Sequence, residues 1–95
     1  DREDPYSWTV RETPRAFFLG ERDSLEDAED LLLLLETEEI DPYILEVSYR
    51  DGSRRYRVLA GAFSGVNDAR ALQQLLIEAG IEDPPLVERR GRLPE

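Results

Sequence analysis

Apolar and polar residues follow two different periods along this chain, and the longer period marks two helices. Apolar side chains recur every three or four residues in two stretches, which is the spacing of one helix face. The first stretch predicts a helix over about residues 25–38, and Ser24 with Asp27 resembles a capping box at its start. The second predicts a helix over residues 66–79, which Gly80 ends as a C-terminal glycine. The positions predicted to face the core are Ala28, Leu31, Leu32, Leu35, Val66, Ala69, Leu72, Leu75 and Leu76.

The shorter period, an alternation of two, marks the strands. Residues 7–20 form a strand region that Pro14 interrupts, because proline cannot donate to a sheet ladder. Asp51-Gly52 lies between two alternating segments and is a strong signal for a hairpin turn. The strand segments predicted with most support are residues 16–19, 43–49, 54–60 and 86–89.

A two-residue turn at Asp51-Gly52 also predicts how the second and third strands pair. It places Leu45 opposite Val58 and Val47 opposite Tyr56 on an apolar face. The other face then carries the pairs Ile44 with Leu59, Glu46 with Arg57, and Ser48 with Arg55. Since the first set is apolar and the second mixed, we expect the helices to cover the first face and leave the second uncovered.

The two halves of the chain repeat each other without a gap. An offset of 41 residues places Gly20 on Gly61, Leu31 on Leu72 and Ile40 on Ile81. A repeat of this length indicates duplicated supersecondary units. Together with the strand and helix order βαββαβ, it predicts an α+β fold of the ferredoxin-like (RNP-like) type. We expect a four-stranded antiparallel sheet with both helices on one face.

Length and composition predict a single domain of 95 residues. We expect residues 1–6 to be a flexible lead-in, residues 7–90 the domain, and residues 91–95 a tail. The chain has no cysteine, so disulfides and thiolate metal sites are excluded. No apolar run reaches the roughly 18 residues that a membrane span needs. The chain does not begin with methionine, and we expect it to be an excerpt of a longer protein whose targeting segment lies elsewhere.

The net charge of −10 argues against nonspecific binding to nucleic acid or anionic membrane. All 12 basic residues are arginine, which fits a GC-rich genome and also fits adaptation to salt. Both interpretations stay open. Histidine, cysteine and lysine are all absent, so the usual bases and nucleophiles are missing and we expect no enzyme activity. The acidic run over residues 36–41 lacks the spacing of a calcium loop, and we expect no metal and no cofactor.

The second half carries a family resemblance. Residues 56–63 read Tyr-Arg-Val-Leu-Ala-Gly-Ala-Phe, the following helix has alanine and leucine anchors, and residues 79–81 read Ala-Gly-Ile. This pattern resembles the SPOR (sporulation-related repeat) domain, over about residues 15–90. The resemblance implies a noncatalytic module of bacterial envelope or cell-division proteins, located in the periplasm or envelope. It also implies binding to peptidoglycan glycan strands stripped of stem peptides, through the uncovered sheet face.

By position, the resemblance assigns Phe18 and Glu21 of the first strand to that face. The family often has glutamine and serine at these positions. The residues predicted to bind glycan are Phe18, Glu21, Ile44, Glu46, Ser48, Arg55, Arg57 and Leu59. Two interpretations remain for the arginines beside Glu46: a clamp on the N-acyl or lactyl groups of a glycan, or a solvated cross-strand ion pair. Phe18 is either a stacking platform for a sugar or an ordinary half-buried strand residue.

A second function is a SPOR-fold module for protein interaction or dimerisation that has lost sugar binding. It is suggested by the apolar Phe18, by the acidic Glu21, and by surplus leucines on the first helix. Leu32 and Leu33 align with Gln73 and Gln74 of the second helix, so they are the predicted partner surface. We therefore expect glycan strands, and possibly envelope or division proteins, as partners of a monomer or weak dimer. RNA-recognition motifs share the βαββαβ order, but the acidic charge and the lack of their strand-3 motif argue against them.

Overall fold

The predicted strands and helices form in the predicted order. The computed structural model describes residues 14–91 and residue 94, so the predicted lead-in 1–6, the beginning of the first strand region and Arg92 lie outside the described residues. The elements are β1 (Arg15–Arg22), α1 (Leu25–Leu35), β2 (Tyr43–Ser48), β3 (Arg54–Phe63), α2 (Val66–Glu78) and β4 (Leu86–Glu88). All strand pairs are antiparallel, and the sheet order is β2-β3-β1-β4. The predicted α+β ferredoxin-like fold is confirmed.

Both helices pack on one face of this sheet. Helix α1 buries Ala28 against Val58 of β3, and α2 buries Leu76 beside Phe17 of β1. Leu19 of β1 packs against both of these clusters, which joins them into one layer between the sheet and the helices. This confirms that the two helices lie on the same side of the sheet, and no helix formed by residues 14–91 lies over the other face.

Helix α1 is shorter than predicted because its acidic end leaves the helix. The Ser24 hydroxyl accepts a hydrogen bond from the Asp27 amide at 3.1 Å, as expected for an N-cap. At the other end, Glu36 is extended, and the Thr37 hydroxyl accepts from the Ile40 amide at 3.0 Å to form a turn. Carboxylates are unfavourable at the negative end of a helix dipole, which accounts for an end at Leu35 instead of Glu38.

Helix α2 follows its prediction except at its first residue. The sequence predicts that Val66 faces the core, but Val66 is the first residue of the helix and is 62% exposed. The predicted C-terminal glycine is confirmed. Gly80 has φ +95°, and the Ile81 amide donates to the Leu76 carbonyl at 3.0 Å, which is the bond of a Schellman motif.

The pairing predicted for β2 and β3 is wrong by one residue. Ile44 pairs with Val58, Glu46 with Tyr56, and Leu45 with Arg57. The cause is the turn, because the Tyr49 amide bonds to the Ser53 carbonyl and encloses three residues, 50–52, instead of two. Gly52, at φ +90°, occupies the left-handed position of this longer loop. A shift of one residue moves each β2 side chain to the opposite sheet face.

The internal repeat has a structural counterpart at two glycines. A Cβ on Gly20 would lie 2.5 Å from Leu31 Cδ2, and one on Gly61 would lie 2.8 Å from Leu72 Cδ2. These are equivalent positions under the 41-residue offset. In each half, the glycine lets the helix approach the strand closely, which explains why both copies have it.

Candidate functional site

A β-bulge in β1 brings Phe18 and Glu21 to the same face of the sheet. Phe18 pairs with Leu59 and Glu21 with Arg57, while the register shifts between them. Leu19 packs in the helix-side core, and Gly20 also faces helix α1. Two consecutive residues therefore turn toward the helices, and the side chains before and after them face the other way. Strict alternation would have placed Phe18 and Glu21 on opposite faces.

Arg55 and Arg57 of β3 meet these two residues on the face opposite the helices. Arg55 Nε lies 2.8 Å from Glu21 Oε2, and Arg57 Nε lies 3.4 Å from Glu21 Oε1. The Arg57 guanidinium carbon also stands 5.7 Å from the centre of the Phe18 ring, within the range of a cation–π contact. We call the group formed by Phe18, Glu21, Arg55 and Arg57 the strand-face patch.

The strand-face patch is an ion-pair network at the border of solvent. The side chains of Arg57 and Glu21 are 25% and 21% exposed, and Asp23 adds a contact of 2.5 Å to Arg55. Arg57 Nε is buried and has no hydrogen-bond acceptor within the part of the chain that the structure describes. Partly exposed pairs of this kind contribute at most about 1 kcal/mol each to stability, so they leave the arginines able to exchange partners.

Three residues predicted for this face lie on the other one. Ile44 packs under helix α1 with Ala28 and Val58, so its placement on the uncovered face is wrong. Glu46 is opposite Tyr56, is 7% exposed, and lies 3.4 Å from Arg54 instead of beside Arg57. Ser48 is an exposed residue opposite Arg54 and shares the side of Glu46. All three corrections follow from the one-residue shift in register.

Leu59 lies on the predicted face but is fully buried there. It packs with Ala16 and Leu45 in a second, smaller core on the side opposite the helices. Phe18, Tyr43 and Val87 surround this cluster. The face is therefore accessible only in part, and Leu59 supports Phe18 from beneath instead of offering a surface to a ligand.

The C-terminal segment 89–91 crosses the buried part of this face. The Arg89 amide donates to the Pro14 carbonyl at 2.7 Å, and Arg89 Nε donates to the Tyr43 hydroxyl at 3.1 Å. The Tyr43 hydroxyl donates in turn to the Gly61 carbonyl at 2.6 Å. Gly91 lies so close to β2 that a Cβ there would be 2.5 Å from the Glu46 carbonyl oxygen. The segment thus runs from the β4 edge to β2, and among the described residues it does not cover the strand-face patch.

Sequence reasoning missed three residues that shape this face. Asp23 extends the ion pairs, while Tyr43 and Arg89 anchor the crossing segment. Arg89 is followed directly by a second arginine, and nothing local in the sequence indicates that Arg89 folds back and is buried. Arg90 is exposed and pairs with Glu88 at 2.7 Å, which lowers the pKa of the Glu88 carboxyl.

Of the two residues predicted as a partner surface on helix α1, only one is exposed. Leu33 is 67% exposed, whereas Leu32 packs against the core cluster of Ala28 and Ile44. Leu34, which was not singled out, is 81% exposed. The exposed apolar surface is therefore the pair Leu33–Leu34.

Two kinds of site receive no support from residues 14–91 and 94. No group of three or more histidine, cysteine, aspartate or glutamate side chains there is placed to hold a metal ion. The helices described in that part of the chain are too short and too polar to cross a membrane. Hydrogen bonds from the Ser53 side chain and amide lower the pKa of the Asp51 carboxyl.

Comparison with known proteins gives one match. The family model described as "SPOR domain" matches residues 18–85, which covers both helices, β2, β3 and most of β1. No match was found among curated proteins or among solved structures. The matched residues include all four members of the strand-face patch.

Proposed function

Because the chain belongs to the SPOR domain family, whose members bind peptidoglycan, we propose that it binds peptidoglycan glycan strands through the strand-face patch. SPOR domains are binding domains, and we infer that this one acts without catalysis. Domains of this family occur in bacterial envelope and division proteins. The proposed role is therefore to concentrate its parent protein on the cell wall, in the periplasm or envelope.

The observation that carries the proposal is the state of Arg57. Its side chain is 25% exposed, and its buried Nε lies 3.4 Å from Glu21 without forming a hydrogen bond among the described residues, so Glu21 leaves donors of this guanidinium unused. Removing a stem peptide from a glycan strand exposes a lactyl carboxylate beside N-acetyl groups. Arginine presents planar donors that suit a carboxylate, and a charged acceptor forms the stronger kind of hydrogen bond.

Phe18 supplies the apolar part of the proposed site. It is half-buried and packs against Leu59, with the Arg57 guanidinium over its ring at 5.7 Å from the centre. A pyranose ring has an apolar face that packs on an aromatic side chain. In the proposed complex, Phe18 supports the sugar ring while Arg55 and Arg57 hold its acidic substituent.

Glu21 sets the selectivity of the proposed site. Its two carboxylate oxygens already contact Arg55 and Arg57 at 2.8 and 3.4 Å. An anionic ligand must therefore compete with Glu21, and affinity for any single carboxylate is reduced. This favours a polymer that offers several contacts in succession over a small acid.

Co-sedimentation with purified sacculi tests the proposal, with and without prior amidase treatment to remove stem peptides. We expect retention on treated sacculi. Arg57→Gln should weaken it about tenfold or more, since a hydrogen bond to a charged group contributes roughly 1.5–3 kcal/mol. Arg70→Gln is the matched control, because Arg70 is an exposed arginine on α2, on the other side of the sheet.

A second variant separates charge competition from packing. Glu21→Gln removes the competing carboxylate, and we expect it to increase retention on amidase-treated sacculi. Circular dichroism of each variant shows whether the fold is kept. No retention of the wild-type chain on either material, or equal retention of Arg57→Gln and Arg70→Gln, would refute the proposed site.

A further inference from the structure

The side of helix α1 that faces away from the sheet carries an exposed pair of leucines. Leu33 and Leu34 are 67% and 81% exposed, which is more than the other large apolar residues of the described chain. They are adjacent in sequence and occupy the last turn of the helix. Single exposed leucines are common on protein surfaces, but here two adjacent leucines are exposed on the side of the helix away from the core.

The duplicated unit does not require these leucines. Under the 41-residue offset, Leu33 corresponds to Gln74, an exposed polar residue of α2. Leu34 corresponds to Leu75, which packs against the core. The second half therefore folds with a polar residue, Gln74, at the first of these positions and a core-packed residue, Leu75, at the second. The exposed pair on α1 is an additional feature of the first half.

Carboxylates surround this pair. Glu29 and Asp30 lie one turn before it, and Glu36, Glu38 and Glu39 follow it. None of these five forms an ion pair with another residue of the described chain. Helix α1 has no basic residue in its last turn, so three of these carboxylates lie at the negative end of the helix dipole without a compensating cation. We call Leu33, Leu34 and these five residues the acid-framed leucine pair.

From this arrangement we infer that the acid-framed leucine pair is a docking surface for a basic amphipathic segment of another protein. Apolar side chains of such a segment would cover Leu33 and Leu34, and its cations would neutralise the surrounding carboxylates. A second copy of this chain fits poorly, because it would bring two sets of carboxylates together and each chain carries a net charge of −10. An anionic membrane is disfavoured for the same reason. The surface lies on the opposite side of the molecule from the strand-face patch and does not depend on the proposed glycan binding.

Nuclear magnetic resonance of the ¹⁵N-labelled chain tests this inference. The probe is a synthetic amphipathic peptide with leucines on one helical face and lysines on the other, and a peptide of the same composition in scrambled order is its control. We expect saturable shifts at the amides of residues 29–39 with the amphipathic peptide. The binding that causes these shifts should be weaker at high salt, because salt screens the exposed charges.

Two pairs of substitutions make the test specific. Leu33→Gln with Leu34→Gln should weaken binding at least about tenfold. Val66→Gln with Ile77→Gln removes two exposed apolar residues of α2 and should leave binding unchanged. All four substituted residues are at the surface, so the circular dichroism of both double variants should match that of the wild type.

Three results would overturn the inference. One is equal weakening by the α1 and α2 double variants. Another is shifts spread over the whole surface or equal with the scrambled peptide, which would mean unspecific attraction to an acidic protein. The third is self-association in analytical ultracentrifugation that Leu33→Gln with Leu34→Gln removes, since the occupant would then be a second copy.

Discussion

Glu21 is the residue that organises the strand-face patch. The Glu21 carboxylate contacts Arg55 and Arg57 of the neighbouring strand β3, and Asp23 also contacts Arg55. Because these contacts are partly exposed, they add little to the stability of the fold, and their main effect is to position the two arginine side chains. They hold Arg55 and Arg57 together on one face of the sheet, with the Arg57 guanidinium over the Phe18 ring. The residue that departs from the family pattern thus has an identifiable physical role.

Asp51 gives a residue-scale prediction about pH. Hydrogen bonds from Ser53 lower its pKa below the ordinary value of 3.8. A carboxyl whose pKa is lowered by folding stabilises the fold above its unfolded pKa, and this contribution is lost as pH falls through the folded value. We expect Asp51→Asn to be less stable than wild type at neutral pH and equally stable near pH 2. Urea unfolding at both values checks this, and a difference that is independent of pH would contradict it.

At the scale of elements, two irregularities in the β1–β3 pair decide what the sheet presents. The bulge at Leu19 and Gly20 aligns Phe18 with Glu21 on one face. The second register shift lies between the pairs Arg15–Phe63 and Phe17–Ala60. At this point Gly61 of β3 takes φ +81°. Each irregularity coincides with the glycine that admits a helix leucine. Close helix packing and the arrangement of the patch therefore have a common origin.

The two glycines give the prediction at this scale. Gly61→Ala places a side chain in the left-handed region and against Leu72 and the Phe63 ring, and we expect a loss of about 2 kcal/mol in the free energy of unfolding. Gly20→Ala meets the end of the Leu31 side chain but has no positive φ, so it should cost less, about 1 kcal/mol. Urea unfolding of both variants measures the difference. Equal losses would show that backbone conformation at Gly61 is unimportant.

The element order could be predicted from the sequence, whereas the register of β2 could not. The helical and alternating periods, with the 41-residue repeat, were sufficient for the βαββαβ fold. The register depends on whether Asp51-Gly52 closes a two-residue or a three-residue loop, and both loops accept glycine with positive φ. The apolar pattern did not decide, since Leu45 and Val47 are as apolar as Ile44. Leu45 packs in a second small core that the apolar pattern does not predict.

At the scale of the whole molecule, the two sides differ in chemistry. The sheet side presents two arginines within an ion-pair network, and the far side of α1 presents leucines among carboxylates that form no ion pair with other described residues. The partners proposed above differ accordingly: an anionic glycan for the sheet and a basic protein segment for the helix. A domain with both could link the wall to a second protein.

The extent of the uncovered sheet face also belongs to this scale. Residues 89–91 cross the sheet and cover the part near Tyr43 and Leu45. The order of elements alone predicts that the sheet face opposite the helices is entirely uncovered. A crossing by three residues after the last strand has no periodic pattern, and the burial of Arg89 depends on contacts with a strand 46 positions earlier. This restricts the candidate site to the half that carries Phe18, Glu21, Arg55 and Arg57.

Titration of the ¹⁵N-labelled chain with a glycan oligosaccharide lacking stem peptides tests the central claim most directly. Glycan binding at the strand-face patch predicts saturable shifts that are largest at the amides of Phe18, Glu21, Arg55 and Arg57. The same oligosaccharide with its stem peptides intact should cause much smaller shifts. Largest shifts on the helices, or none at high oligosaccharide concentration, would contradict the claim.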